Sequence, residues 1–242
     1  MRIHVELLPA EAATDVAVVV DALRSCTSAA LAFDRGLASL DFSQSLRTAR
    51  RGAAELDLLL LGERRGMVPE GFNHSNSPVL LQQLELTGKK AALVSENAPQ
   101  AVDHNSAARH ILLGSLFNAA AVVRRAAELA SESVHVVASG FRGQEDLDDS
   151  LAVAFIAAEL RRLLPEAEVT GAVALTESLL RAFPDPVEAL WHSTAGRYLR
   201  SLGHGDDIGI AGQVSASGSV PERSTTLSLS EGGLLQRFTV SS

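Results

Sequence analysis

Short apolar runs punctuate the chain at Val16 to Val20, Leu58 to Leu61, Ala91 to Val94, Ile111 to Leu113 and Val134 to Ala138. They are near-continuous rather than alternating, which predicts strands covered on both faces, as in parallel sheets. Between the runs, apolar positions follow helical spacing. Cys26, Ala29, Ala30 and Phe33 share one face, Leu116, Ala120, Val123 and Ala127 a second, and Leu147, Leu151, Phe155 and Ala158 a third. Strand alternating with helix predicts the α/β class in a three-layer α/β/α arrangement. Near the end, Leu227 and Leu229 alternate with serines, Glu231-Gly232-Gly233 reads as a turn, and Phe238 and Val240 alternate again, so a hairpin is predicted. No stretch reads as a linker, and residues 1–242 are taken as one unit. Loosely similar strand–loop–helix segments around Asp21 and Arg142 suggest an ancient duplication, with halves near 1–120 and 121–242.

Two segments break the rhythm. Gly62 to Ser77 is rich in Gly, Pro and Asn, and Gly203 to Pro221 in Gly and Ser, and both read as irregular. Long loops inside a compact domain are uncommon and often functional.

Composition narrows the classes. Hydrophobic residues make up 46% and charged residues 21% of the 242, which is a globular balance with a core of Ala, Leu and Val. The formal charge of −8 argues against general nucleic-acid binding, because phosphate contact needs a basic surface. Aromatic residues are only 4%, too few for a base-stacking platform. A small anionic ligand remains compatible where arginines converge. The single cysteine, Cys26, excludes an intramolecular disulfide and suits a reducing compartment. Met1 to Glu6 lacks the features of a signal peptide, and the apolar runs are too short to cross a bilayer. The expectation is a cytoplasmic protein with no membrane partner. A homo-oligomer is compatible with the sequence.

Four motifs can carry chemistry. In Val18-Val19-Val20-Asp21-Ala22-Leu23-Arg24-Ser25-Cys26-Thr27-Ser28, Asp21 ends a strand and a helix follows. Ligands of open α/β sheets bind at such ends, and free amides at a helix start favour anions. Arg24 adds a bidentate donor, and Asp21 can hold a divalent cation. A plain helix cap explains the same residues. In Gly62 to Pro78, Glu63 and Arg64 also follow a strand, and Ser77-Pro78 reads as a helix cap and first position. In Ala138 to Ser150, Arg142 is a second anion clamp, while Asp148 and Asp149 either bind metal or complement a helix dipole. In Gly114-Ser115-Leu116-Phe117-Asn118, Ser115 reads as a cap and Asn118 as part of it or as a cleft residue. Cys26 reads as packing, and His192 and His204 as surface or structural residues.

These motifs carry a family resemblance. Val18 to Thr27 resembles the opening motif of the 2-phosphosulfolactate phosphatase family, the ComB-like proteins. Gly62-Glu63-Arg64, Pro69-Glu70-Gly71-Phe72 and Asn76-Ser77-Pro78 are similar to its second motif. Gly114-Ser115, Phe117 and Asn118 resemble a third, and Gly140, Arg142-Gly143 and Asp148-Asp149 a fourth. Ser193, Gly196, Leu199, Gly203, Asp207 and Val220-Pro221 follow a weaker C-terminal pattern. The family shows a Thr-Thr-Asn-Gly-Thr-like stretch where this chain has Val94-Ser95-Glu96-Asn97-Ala98-Pro99. Asn73 and Ser215 stand where the family has acidic residues.

The resemblance implies an α/β/α fold of two similar, intertwined halves and a magnesium-dependent hydrolase that converts 2-phospho-3-sulfolactate to sulfolactate and phosphate, a step of coenzyme M synthesis. The residues expected to act are Asp21, Arg24, Glu63 and Arg142 in catalysis. Ser25, Thr27, Arg64, Asn76, Ser77, Asn97 and Asn118 are expected to bind substrate, and Asp21, Glu63, Glu70 and Asp149 to hold Mg²⁺. Two other readings stay open: a phosphatase for another small phosphorylated acid, and a non-catalytic binding protein for such anions.

Overall fold

The computed structural model describes residues 1–240. The strands are β1 (Arg2–Glu6), β2 (Val16–Val20), β3 (Ser39–Ser43), β4 (Leu59–Gly62), β5 (Lys90–Val94), β6 (His110–Gly114), β7 (Ser133–Ala138), β8 (Glu168–Gly171), β9 (Glu222–Ser228) and β10 (Leu234–Thr239). The helices are α1 (Ser25–Asp34), α2 (Leu46–Leu56), α3 (Pro78–Leu81), α4 (Ala98–His104), α5 (Ala119–Leu129), α6 (Leu147–Leu163), α7 (Val173–Ala182), α8 (Pro186–His192), α9 (Thr194–Ser201) and α10 (Asp206–Ala211).

Among the described residues the strands form one ten-stranded sheet in the order β4-β5-β3-β10-β9-β6-β2-β7-β1-β8. It contains two parallel blocks. β4, β5 and β3 make one, and β6, β2, β7, β1 and β8 the other. The antiparallel β9–β10 hairpin lies between them. Its seam with the second block is a single strand pairing, Leu112 with Glu222. In the second block, β7 lies between β1 and β2, so late residues are inserted among early ones.

Helices cover both faces, which is the α/β/α class. One core packs β1, β2 and β7 against α5 and α6. A second packs β4, β5 and β10 against α2. The third is shared: Ala17 and Val19 of β2, Leu40 and Phe42 of β3, and Leu93 of β5 meet α1, α3 and α4. That shared core joins the two blocks.

All five apolar runs are strands, and the three helical stripes are α1, α5 and α6. The C-terminal hairpin is present. β1, β3 and β8 were not expected. In β3, Asp41 and two serines interrupt the apolar run, yet all five residues are buried. Asp41 is tolerated because Arg237 of β10 donates to both its oxygens, each at 2.7 Å. The Gly203 to Pro221 segment is not wholly irregular, since α10 forms within it, with Asp206 and Asp207 in its first turn. Asn118, not Ser115, occupies the cap position of α5.

The Asp41–Arg237 pair bridges the first block and the hairpin. Arg237→Met leaves a carboxylate fully buried and unpaired. Urea unfolding is expected to show a stability loss of roughly 3 kcal/mol. A loss near zero would contradict the bridging role.

Candidate active site

The carboxyl ends of β2, β4, β5 and β7 converge. A narrow cleft of about 40 Å³ opens there, lined by Asp21, Leu23, Arg24, Ser25, Glu63, Gly66, Asn76, Ser95, Glu96, Asn97 and Phe141, with Ala195, Tyr198 and Leu199 from α9. The two blocks touch directly at its floor, where the Ser25 hydroxyl donates to Ser95 Oγ at 2.8 Å.

Asp21 sits directly after β2, and the chain turns back on it. The Ser25 N–H donates to Asp21 Oδ1 at 2.9 Å and the Cys26 N–H to its carbonyl at 3.1 Å. The first amides of α1 are therefore engaged by Asp21 rather than free for an anion. Burial pushes the Asp21 carboxyl up, and the Ser25 bonds pull it back. Thr27 is buried and donates to the Ala22 carbonyl at 2.9 Å, inside the turn.

Arg24 is at the cleft wall, but its guanidinium is committed. Nη1 lies 2.7 Å from Asp207 Oδ2, with the two side chains only 3% and 1% exposed. Asp207 also accepts from the Ser77 hydroxyl at 2.5 Å and the Val79 N–H at 3.3 Å. Ser77 in turn caps α3 through the Leu80 N–H. The β2–α1 turn, the Asn76–Ser77 segment and α10 are thus pinned to one carboxylate. Motif reading placed Asp207 only in a weak C-terminal pattern; with no nearby chemistry in sequence, only the fold reveals its partner.

Glu63 follows β4 and enters the cleft. Its Oε2 accepts from the Gly66 N–H at 2.6 Å. Burial raises its pKa, the Gly66 bond lowers it, and Glu96 raises it. The backbone approaches closely at Gly62, where a Cβ would sit 2.1 Å from the Val94 carbonyl oxygen. Glu96 also lines the cleft, with Arg64 Nη1 3.8 Å away. Arg64 itself donates to the Gln44 carbonyl at 2.5 Å and does not line the cleft. Asn97 and Asn76 do line it, and Asn76 Oδ1 is buried without a partner.

Besides Thr27, Arg64 and Ser77, four expected residues lie outside the cleft lining: Asp149, Glu70, Asn118 and Arg142. Asp149 is buried, and its two oxygens accept the Ala22 and Gly140 N–H groups at 2.7 and 2.9 Å. It buttresses the Asp21 loop instead of facing the cleft. Glu70 is exposed, and neither it nor Asp149 lines the cleft. Asn118 is buried and saturated, bonded to the Ser115 N–H and to the Leu113 and Ser219 carbonyls. Arg142 is exposed at the rim, stacked 4.6 Å from the Tyr198 ring centroid. Ser215 lies beside α5, accepting from the Ala120 N–H.

Beneath Asp21 the charge accumulates. Asp148 is buried with Oδ1 unpartnered. Burial, then Asp146 and Asp21, raise its pKa well above normal. Burial, then Asp148 and Asp21, do the same for Asp149.

Fold and cleft together define an α/β protein of enzyme type, with an acidic, hydroxyl-bearing site at its strand ends. The comparisons specify which. The sequence profile of the 2-phosphosulpholactate phosphatase family matches residues 3–226, and the chain belongs to that family. A protein of Thermus thermophilus named "Probable 2-phosphosulfolactate phosphatase" is 36% identical over 225 residues, 91% of this chain and 94% of the relative. One of the same name from Deinococcus radiodurans is 36% identical over 224 residues, covering 91% and 92%. Another from Parasynechococcus marenigrum is 34% identical over 208 residues, covering 83% and 85%.

Losing Asp207 frees Arg24 and strips the cap partner of α3. Asp207→Leu is expected to cost roughly 3–5 kcal/mol, and pairing it with Arg24→Met to recover part of that loss. Chemical denaturation of both single variants and the double variant measures it. Additive losses would refute the coupling.

Proposed function

We propose that the chain is a magnesium-dependent phosphatase that hydrolyses 2-phospho-3-sulfolactate to sulfolactate and phosphate. Family membership supports the substrate. The observation that supports the cation is the charge of the cleft. Asp21, Glu63 and Glu96 face it, and its one lining guanidinium, Arg24, is spent on Asp207. A phosphate dianion is repelled by such a lining unless a cation offsets it.

The donor set fits a hard cation. Asp21 and Glu63 supply carboxylate oxygens at the cleft, and Asn76 Oδ1 is an oxygen without a partner. Mg²⁺ characteristically takes one or two carboxylates and keeps several waters, so this set suffices without Glu70 or Asp149. Held by Asp21 and Glu63, Mg²⁺ would supply polarisation of a phosphoryl oxygen and offset the carboxylate charge.

The chain's own groups then position the ester. The Ser25 hydroxyl donates a hydrogen bond to Ser95 Oγ, which leaves the Ser95 O–H to donate to a phosphate oxygen. The Asn97 side chain lines the same cleft as a further polar contact. Leu23, Phe141, Ala195 and Leu199 supply an apolar wall that narrows solvent access. Arg24 acts through Asp207, holding the Asp21 turn in register with Ser77.

The reaction as a step of coenzyme M synthesis, and a cytoplasmic setting, complete this reading. The buried, unpaired thiol of Cys26 suits a reducing compartment. No helix of the described residues is long and apolar enough to cross a membrane. Glu96 on the cleft wall favours one second reading, a phosphatase for another small phosphorylated acid.

Purified protein is expected to release phosphate from 2-phosphosulfolactate in Mg²⁺ and to lose that activity in EDTA, as followed by a phosphate assay. Equal rates in EDTA would refute the metal requirement. Asp21→Asn is expected to lower kcat by about 100-fold or more. Faster turnover of other phosphorylated acids in a substrate panel would favour the second reading.

A further inference from the structure

Two turns at the rim of the cleft are built alike. In Arg64-Arg65-Gly66-Met67 the outer residues exchange backbone bonds, Arg64 N–H to Met67 O at 2.9 Å and Met67 N–H to Arg64 O at 3.2 Å. In Phe141-Arg142-Gly143-Gln144 the equivalent bonds are 2.8 and 3.1 Å. Both central pairs are arginine then glycine with positive φ, 53° and 73° in the first turn, 54° and 76° in the second. Two such residues in sequence make a type I′ hairpin turn, whose tip here presents an arginine. One turn follows β4 and the other β7, so each block contributes one.

Tyr198 of α9 ties the two together. Its hydroxyl donates to the Arg65 carbonyl at 2.8 Å. Its ring lies 4.6 Å from the Arg142 guanidinium, which also stacks on Phe141 at 4.9 Å. The Arg142 N–H donates to Asn97 Oδ1 at 3.3 Å, so this turn is also anchored to the cleft wall. Asp146 fixes α9 beneath them by accepting the Thr194 and Ala195 N–H groups.

Both arginines are exposed, and among the described residues neither guanidinium has a carboxylate partner. They line one opening with Glu96, Asn97, Gln100 and Gly143. Glu96 is the only carboxylate in that lining, and Arg64 offsets it from 3.8 Å. The opening shares Glu96 and Asn97 with the cleft of Asp21, so a small molecule can span both. The charge differs sharply between the two ends. Around Asp21 carboxylates dominate, whereas the rim carries two free guanidinium groups.

We propose that Arg65 and Arg142 form a second anion subsite, which takes the non-phosphate acid group of the substrate while the phosphate lies beside Asp21. This rests on the phosphatase reading and adds to it the residues that select an acidic substrate. Planar guanidinium groups match sulfonate and carboxylate oxygens bidentately. The stacking of Arg142 on two rings pre-orders it for that contact. A second anionic group has no complement deeper in the cleft, where Asp21 and Glu63 already crowd the space.

The test is titration calorimetry of 3-sulfolactate and, separately, malate into wild-type protein and an Arg65→Gln/Arg142→Gln variant, both in Mg²⁺. Tighter wild-type binding of one acid identifies sulfonate or carboxylate as the preferred group. The double variant is expected to bind the preferred acid roughly tenfold or more weakly. Equal affinities for the two proteins, or no binding of either acid to the wild type, would overturn the subsite. Binding needs no turnover, so absence of phosphatase activity would defeat the proposed function and leave this result standing. Where the protein is active, the ratio of kcat/KM for 2-phosphosulfolactate to that for phenyl phosphate is expected to fall at least tenfold, chiefly through KM. An unchanged ratio would overturn the proposal.

Discussion

The Arg24–Asp207 ion pair is the interaction around which the site is assembled. It is almost fully buried and joins residues 183 positions apart in the chain. A pair so enclosed tolerates little displacement, because either partner left alone is an unsatisfied buried charge. Through Ser77 and Val79 the same carboxylate fixes the start of α3. The turn carrying Asp21, the loop carrying Asn76 and the C-terminal helices are therefore held in a single arrangement. The arginine that motif reading would assign to the anion serves instead to place the groups that surround it.

This arrangement changes how an anion is accommodated. The first amides of α1 bond Asp21 and the nearest guanidinium bonds Asp207, so the cleft interior has little positive charge of its own. Hydroxyls and amide side chains remain, beside carboxylates whose burial raises their pKa values. The proposed cation would resolve that imbalance at the phosphate, and the proposed rim subsite would resolve it at the substrate's other end. Opposite electrostatics at the two ends also gives the substrate a direction in the cleft.

The fold class was legible because buried parallel strands show as near-continuous apolar runs. β3 was not, because Asp41 interrupts its apolar pattern and only Arg237, nearly two hundred positions later, explains why. Asp21 and Glu63 were legible as cleft residues because they directly follow buried strands, whereas Asn76 and Asn97, which line the same cleft, were marked only by the family resemblance. Asp149 and Asn118 sit in similar strand–loop–helix segments yet bond backbone groups, those of Ala22 and Gly140 for Asp149 and those of Leu113, Ser115 and Ser219 for Asn118. A carboxylate that faces a cleft and one that clamps a turn look alike in sequence. The role of Asp207 and the pairing of the Arg65 and Arg142 turns depend on segments of both blocks and the C-terminal helices meeting at the strand ends, which no local pattern encodes.

A crystal structure of the protein with Mg²⁺ and 3-sulfolactate tests this account most directly. It should show a cation bound by Asp21 and Glu63, Arg24 still on Asp207, and the sulfonate or carboxylate of the ligand at Arg65 and Arg142. An Arg24 turned away from Asp207 to grip the ligand, with no cation at Asp21, would contradict it.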